Sequence, residues 1–351
     1  MLTFDTHILG FLLAFLLSVV IVPLIRKFCI KKGFVDLPNE RKVHRRPTPR
    51  LGGIAIWLCT VLAFIIVVLT KVDYPNGNCL SGIIIGGSLM FLLGLVDDLY
   101  DLPPGLKLFI QIGAALIAFL LGVKVDIISN PFGDPLMLGI LSLPITLLWL
   151  VGITNAVNFI DGLDGLAGGV VTIIAVTLGV VAIFTNQPAS ALIAALLAGS
   201  VMGFLLFNFY PARIFMGDSG ALFSGFVLAG LSVTGVVKGV AVSVLLPILI
   251  FSVPLMDMSF SVFRRLLRGA NPMCADKDHI HHKLIKSGLS QNRAVGVLYL
   301  VCVASGVIAT VIVGAQSLYL ILMAFIFLFM AIFYFVAKIR NLKDMKEAGQ
   351  K

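Results

Sequence analysis

Residues 141–184 read LSLPITLLWLVGITNAVNFIDGLDGLAGGVVTIIAVTLGVVAIF, two apolar runs at about 141–157 and 166–184 joined by a short polar link. Each run is long enough to cross a bilayer as a helix, which takes about 20 apolar residues. The only ionised side chains in the stretch are Asp161 and Asp164, and the amides Asn155 and Asn158 stand just before them. An Asp at the centre of a spanning helix costs roughly 2.5 to 3.5 kcal/mol even on the mildest scale, so acids held at the edge of such a run ask for a functional reason.

The pattern of an apolar run ending in acid, amide and glycine recurs. Asp97, Asp98 and Asp101 lie in GLVDDLYDLPPGLK, and Asp218 lies in FNFYPARIFMGDSG. A chain of 351 residues that is 59% hydrophobic and 12% charged, with mean hydropathy +1.08, cannot hide its apolar side chains in a soluble core. It reads as an all-α integral membrane protein, a single polytopic domain over residues 1–351. Spans are expected at about 7–25, 51–70, 81–96, 107–123, 141–157, 166–184, 190–207, 219–236, 241–260, 295–313 and 318–337, about eleven in all.

Lys and Arg set the orientation, because short loops rich in them stay in the cytoplasm. Of the 26 basic residues, nine lie in 26–50, seven in 260–294 and five in 338–351, with Lys107 and Arg213 on the same side and only Lys71, Lys124 and Lys238 opposite. The N-terminus is therefore expected outside and the C-terminus in the cytoplasm, as an odd number of helices requires. The first apolar run follows no Lys or Arg and precedes Arg26 and Lys27, the pattern of a retained helix. The five cysteines, Cys29, Cys59, Cys79, Cys274 and Cys302, lack paired spacing and suit small apolar fillers. A net charge of +9 fits the positive-inside bias and anionic lipid headgroups, and no soluble basic domain invites nucleic acid.

On this topology the segments 26–50, 97–106, 158–165, 208–218 and 260–294 all face the cytoplasm, which argues for one site. On the other side, 126–139 alternates apolar residues around a Gly-Asp-Pro turn and suits a small external β-hairpin. The ninth span contains Pro247 and Pro254, with Asp257 near its end, and is expected to be kinked or broken. The basic helical run that follows it suits the membrane surface.

Each cluster carries a bland alternative. Adjacent acids at a helix C-terminus face a negative macrodipole, so Asp97 and Asp98 need a cation, such as Lys107 or a metal, unless they sit in an ordinary solvated loop. Asn155 and Asn158, three apart, share a helical face, and their oxygens with those of Asp161 suit Mg²⁺ shared with substrate phosphates. For Asp164, just before Gly165, the bland alternative is a cap before a Gly turn. Asp218 alone reads as an N-cap and becomes a metal ligand in company with the other clusters. His279, His281 and His282, three of five histidines, suit anion binding with Lys283, Arg264, Arg265 and Arg268; a zinc site would need Asp276 or Asp278. Residues 35–53, with His44, suit either a phosphate-approaching loop or a topogenic basic loop.

Together NAVNFIDGLDGLAGG, GLVDDLYDLPPGLK, FNFYPARIFMGDSG and ADKDHIHHKL resemble, in order, the signature segments of the polyprenyl-phosphate N-acetylhexosamine-1-phosphate transferases. The resemblance runs from about residue 35 to 284. The H-I-H-H form, VDLPNERKVH and Asp257 before Arg264 and Arg265 resemble the GlcNAc-1-phosphate branch. The resemblance implies transfer of GlcNAc-1-phosphate from UDP-GlcNAc to undecaprenyl phosphate with release of UMP and with Mg²⁺, for which Mn²⁺ is a candidate substitute. It nominates Asp97, Asp98, Lys107, Asp161 and Asp164 for catalysis, Asp218 with Asn158 for the metal, and Asn155, Asn158, Arg264, Arg265, His279, His281, His282 and His44 for substrate. It implies a bacterial plasma-membrane enzyme and leaves a homodimer open.

In that chemistry two polyanions meet, so neutralisation and positioning dominate. The family's proposed base is Asp97, yet a phosphate monoester has a second pKa of about 6 and is already deprotonated at neutral pH. Positioning of Lys107 or the metal by Asp97 and Asp98 is the alternative. Two other activities stay open at this point: the phospho-MurNAc-pentapeptide branch, and an ion-coupled transporter, which would place its polar residues at mid-bilayer within repeats.

Overall fold

The computed structural model describes residues 4–36, 47–70, 77–128, 136–236, 245–267 and 279–331. Among these, seven helices are at least 18 residues long and apolar enough to cross a membrane. They are α1 (Phe4–Lys32), α2 (Gly52–Leu69), α3 (Gly77–Tyr100), α5 (Ser142–Phe159), α6 (Leu166–Phe184), α7 (Pro188–Asn208) and α12 (Gln291–Ile312). Two shorter apolar helices are α4 (Pro104–Leu120) and α13 (Gln316–Ala331). With α8 (Gly217–Leu231), α9 (Leu245–Ile250), α10 (Ser252–Leu267) and α11 (Ile280–Lys286), they make an all-α membrane protein.

The eighth expected span is shorter as an α-helix than the apolar run suggests: α8 passes into a π-helical turn at Ser232–Val236. The ninth breaks at Phe251 into α9 and α10. Pro254 explains the break, since it offers no N–H to the carbonyl of Ile250, the last residue of α9. The hairpin expected at 126–139 is present as β3 (Ile127–Ile128) antiparallel to β4 (Leu136–Met137), with Ile127 opposite Met137. A second small pair was not foreseen: β1 (Val35–Asp36) lies antiparallel to β2 (Thr48–Pro49). The expected fillers Cys29, Cys59 and Cys302 are buried free thiols, while Cys274 lies outside the described residues.

The core sits around α6, α7 and α8, whereas α1 turns Leu9, Leu16 and Val20 outward, as a lipid-facing helix must. Small residues let helices approach where no hydrophobic drive toward one another exists. Gly203 of α7 shows this: a Cβ there would stand 2.8 Å from the Phe15 carbonyl oxygen of α1. The consequence for function lies in the helix ends. The C-terminal ends of α3, α5 and α7 and the N-terminal ends of α4, α6 and α8 meet through hydrogen bonds at one end of the bundle.

Candidate active site

The end of α3 and the start of α4 are joined by a tight connection in which Asp101 adopts φ 51° and its N–H reaches the Asp97 carbonyl at 2.9 Å. This folds Lys107 back over Asp97. The Lys107 ammonium pairs with Asp97 Oδ2 and lies 3.4 Å from Asp218 Oδ2, while Asp97 Oδ1 accepts the Leu102 N–H at 2.8 Å. From α5, Asn158 Nδ2 donates to Asp218 Oδ1 at 3.1 Å. Asp97, Lys107, Asn158 and Asp218 thus form one network drawn from four helices.

Asp218 is not a cap of its own helix. The N-cap of α8 is Met216, which contributes no side-chain bond, and the Asp218 carboxylate faces Lys107 and Asn158. Its main chain is held instead by Asp98, whose Oδ1 accepts the Asp218 N–H at 2.9 Å. Asp98 Oδ2 accepts Ser219 N–H at 3.1 Å and Ser219 Oγ–H at 2.7 Å. Both oxygens of Asp98, expected in catalysis, are thus engaged by the first turn of α8.

The 158–165 link is similarly divided. Asp161 is partly exposed, and no protein hydrogen bond to its carboxylate is found among the described residues. Desolvation, followed by the nearby charges of Asp218, Asp98 and Asp164, pushes its pKa up to about 8. Asp164, expected in catalysis, accepts the Ala212 N–H on Oδ2 at 2.9 Å and so ties down the 209–216 loop. Asn155, expected at the substrate, exchanges hydrogen bonds with Gln111 of α4, at 2.7 Å and 3.3 Å. Helical spacing put Asn155 and Asn158 on one face; only Asn158 lies high enough on α5 to reach Asp218.

The histidines stand at the start of α11, which Asp257 of α10 holds in place. Asp257 accepts the Ile280 N–H at 2.6 Å and pairs with His279 Nδ1 at 2.9 Å, which fixes the start of α11. His279 lies 5.8 Å from the Phe159 ring and stacks on His281, and His282 follows at 4.4 Å from His281. His281 is 2% exposed and abuts Gly162, where a Cβ would stand 2.5 Å from its Nε2. Burial first, then the neighbouring His282, lowers its pKa to about 4, so the ring is neutral at physiological pH and its Nε2 is a buried polar atom without a hydrogen-bond partner among the described residues. Arg264 and Arg265 stand in the last turn of α10, Arg265 buried. His44, Arg268, Asp276 and Asp278 lie outside the described residues.

Sequence reading missed four supports: Gln111, Asn208, Ser219 and Tyr299. Buried Asn208 accepts Gly165 N–H at 3.1 Å and donates to Ile214 O at 2.9 Å, joining the link to the 208–216 loop. Tyr299 of α12 donates to Gly165 O at 2.5 Å. Gln111 was visible as a lone polar residue in an apolar run. Tyr299 gave no signal.

Among the described residues, no group of three or more His, Cys, Asp or Glu side chains is arranged to hold a metal by itself. The donor set nonetheless fits a hard cation shared with phosphates, because Mg²⁺ uses one or two carboxylates and fills its sphere with substrate oxygens and water. Asp218, Asp98 and Asp164 all lie close enough to Asp161 to raise its pKa further once desolvation, the larger cause, has done so.

A family model described as glycosyl transferase family 4 matches residues 80–236, which include Asp97, Lys107, Asn158 and Asp218. A relative in Bacillus subtilis (strain 168), named as a probable undecaprenyl-phosphate N-acetylglucosaminyl 1-phosphate transferase, is 38% identical over 92% of this chain and 90% of its own. The chain belongs to glycosyl transferase family 4. A decaprenyl-phosphate N-acetylglucosaminephosphotransferase of Mycolicibacterium smegmatis is 33% identical over 79% of this chain and 74% of its own. An undecaprenyl-phosphate alpha-N-acetylglucosaminyl 1-phosphate transferase of Yersinia pestis is 28% identical over 87% and 83%.

Proposed function

We propose that the protein transfers GlcNAc-1-phosphate from UDP-GlcNAc to undecaprenyl phosphate, giving undecaprenyl-diphospho-GlcNAc and UMP. The relatives' names support this branch over phospho-MurNAc-pentapeptide transfer and over transport. The observation that carries the chemistry is the network of Asp97, Lys107, Asn158 and Asp218 at one end of the bundle.

The bond that forms joins an oxygen of the lipid phosphate to the β-phosphorus; the bond that breaks is the β-phosphorus link to the bridging oxygen, which leaves on UMP. Asp218 and Asn158 would hold Mg²⁺, or Mn²⁺ in its place, which when bound neutralises the diphosphate. Asp218 offers carboxylate oxygens, and Asn158 orients them through its amide. Lys107, half-shielded between two carboxylates, places a positive charge where the diphosphate oxygens arrive. Asp97 is engaged by Lys107 and the Leu102 N–H, which supports positioning of that ammonium over proton removal. Neutral His281, with His279 and the Arg264 and Arg265 pair, serves the nucleotide sugar.

The reading includes eleven spans in a bacterial plasma membrane, with the N-terminus outside and segments 26–50, 97–106, 158–165, 208–218 and 260–294 forming one cytoplasmic site. Reconstituted protein given UDP-GlcNAc and undecaprenyl phosphate should release UMP only with divalent cation present. Absence of UMP under those conditions would end the proposal, and a panel of UDP-sugars would define the donor.

A further inference from the structure

We infer that Asp98 and Ser219 are a positioning pair that aims Asp218: from α3, Asp98 caps the first turn of α8 and thereby sets where the Asp218 carboxylate stands. The inference rests on the reading of Asp218 as the carboxylate nearest the reacting diphosphate.

Adjacent residues on a helix point about 100° apart, since a turn takes 3.6 residues. At the end of α3 this sends the two neighbouring acids to different partners. Asp97 turns to Lys107, and Asp98 turns to α8. A helix start leaves its first N–H groups without intrahelical acceptors, and a short side chain just before it commonly supplies one. In α8 that place is taken by Met216, and the first acidic side chain, Asp218, is turned away toward Lys107 and Asn158. The acceptor has to come from another helix.

Asp98 supplies it in full. Three donors, Asp218 N–H at 2.9 Å, Ser219 N–H at 3.1 Å and Ser219 Oγ–H at 2.7 Å, meet two carboxylate oxygens. A carboxylate at the positive end of α8 is favoured by the helix dipole. Asp98 is 7% exposed and Ser219 0%, so water does not compete. The backbones also leave little play. A Cβ at Gly94 would stand 2.5 Å from the Asp218 carbonyl oxygen, and one at Gly217, which has φ +70°, would stand 2.6 Å from Asp98 Oδ2. The main chain of Asp218 is thus fixed by Asp98 while its carboxylate is fixed by Asn158 and Lys107. With both oxygens occupied, Asp98 acts through Asp218 and Ser219, and Ser219 becomes a functional residue although it faces no substrate. A displacement of a positioned group by about 1 Å lowers rate on the order of 100-fold.

The test is a double-mutant cycle in the reconstituted full chain with Asp98→Asn, Ser219→Ala and the double variant, read as kcat, KM for UDP-GlcNAc and melting temperature. The expected result is a kcat loss of about 100-fold for Asp98→Asn and about 10-fold for Ser219→Ala, with KM for UDP-GlcNAc kept. The double variant should be no worse than Asp98→Asn alone, because Ser219 acts only with Asp98. Losses that multiply, or a raised KM with kcat kept, would take Asp98 out of this role and overturn the pair. If Asp98→Asn does not fold, Ser219→Ala decides, and a wild-type kcat there overturns the inference. If wild-type protein releases no UMP, the transferase reading has failed, and the cycle on melting temperature still tests the cap: coupled shifts support it and additive shifts refute it.

Discussion

Lys107 Nζ stands 3.4 Å from Asp218 Oδ2, a meeting of α4 and α8 across 111 residues of chain. The same ammonium pairs with Asp97, so one cation serves two carboxylates in the absence of substrate. Replacing it with an uncharged chain of similar reach removes a charge aimed at the diphosphate. Lys107→Met should lower kcat on the order of 100-fold to 1,000-fold, as loss of one electrostatic stabiliser does elsewhere. UMP release at saturating substrates checks this, and a near-normal rate would remove Lys107 from the chemistry.

Asn155 and Gln111 hold each other across α4 and α5, and Gln111 is 2% exposed. Asn155→Ala would leave that amide buried without its partner. A stability loss of about 1 to 3 kcal/mol is expected, with KM for UDP-GlcNAc unchanged. Thermal unfolding in detergent beside a KM measurement separates packing from substrate contact; a raised KM at full stability would restore Asn155 to the site.

Asp161 carries a pKa raised to about 8 by desolvation and by Asp218, Asp98 and Asp164. A carboxyl that is harder to ionise in the fold than in the unfolded chain contributes stability present in full below the usual carboxylate range and lost as pH rises through about 8. Cation-free protein should therefore lose melting temperature between about pH 4 and pH 8 at this residue, and Asp161→Asn should flatten the loss. A divalent cation offsets the same charge, so the Mg²⁺-dependent rise in melting temperature should be larger at pH 8.5 than at pH 6. Equal rises at both values would contradict this.

Gly162 lies under the buried His281 ring, and a Cβ would stand 2.5 Å from Nε2. Gly162→Ala should displace that ring and lower activity by about 10-fold to 100-fold, since ring placement rather than chain folding is disturbed. In a His281→Ala background the same change should add little, because the clash is gone. Kinetics of the two single variants and the double check this, and independent losses would separate the glycine from the histidine.

Much of the fold was legible because bilayer thickness imposes it locally. Apolar runs such as 166–184 and 190–207 became α6 and α7 almost residue for residue. Pro247 and Pro254 marked the broken ninth span, since a missing N–H acts wherever it occurs. The β1–β2 pair was illegible for the opposite reason. It depends on β2 and its sequel reaching 215–216, where Phe215 N–H meets Pro49 O at 2.7 Å and Gly53 N–H meets Met216 O at 2.8 Å. No local pattern in a basic loop announces a partner that far along the chain.

The amino-acid sequence by itself determined that the chain lies in a membrane as helices, that its acids and amides gather at helix ends, and which family motifs they form. These follow from short-range rules: hydrophobic length, helical period and residue type. Only the tertiary structure decided how the acids divide their work. Asp97 and Asp98 are neighbours of one type, yet one meets an ammonium and the other caps α8; Asp161 stays open while Asp164 ties a loop. The reason is that a carboxylate's role is set by the donors it faces, and those donors come from helices distant in sequence and close in space.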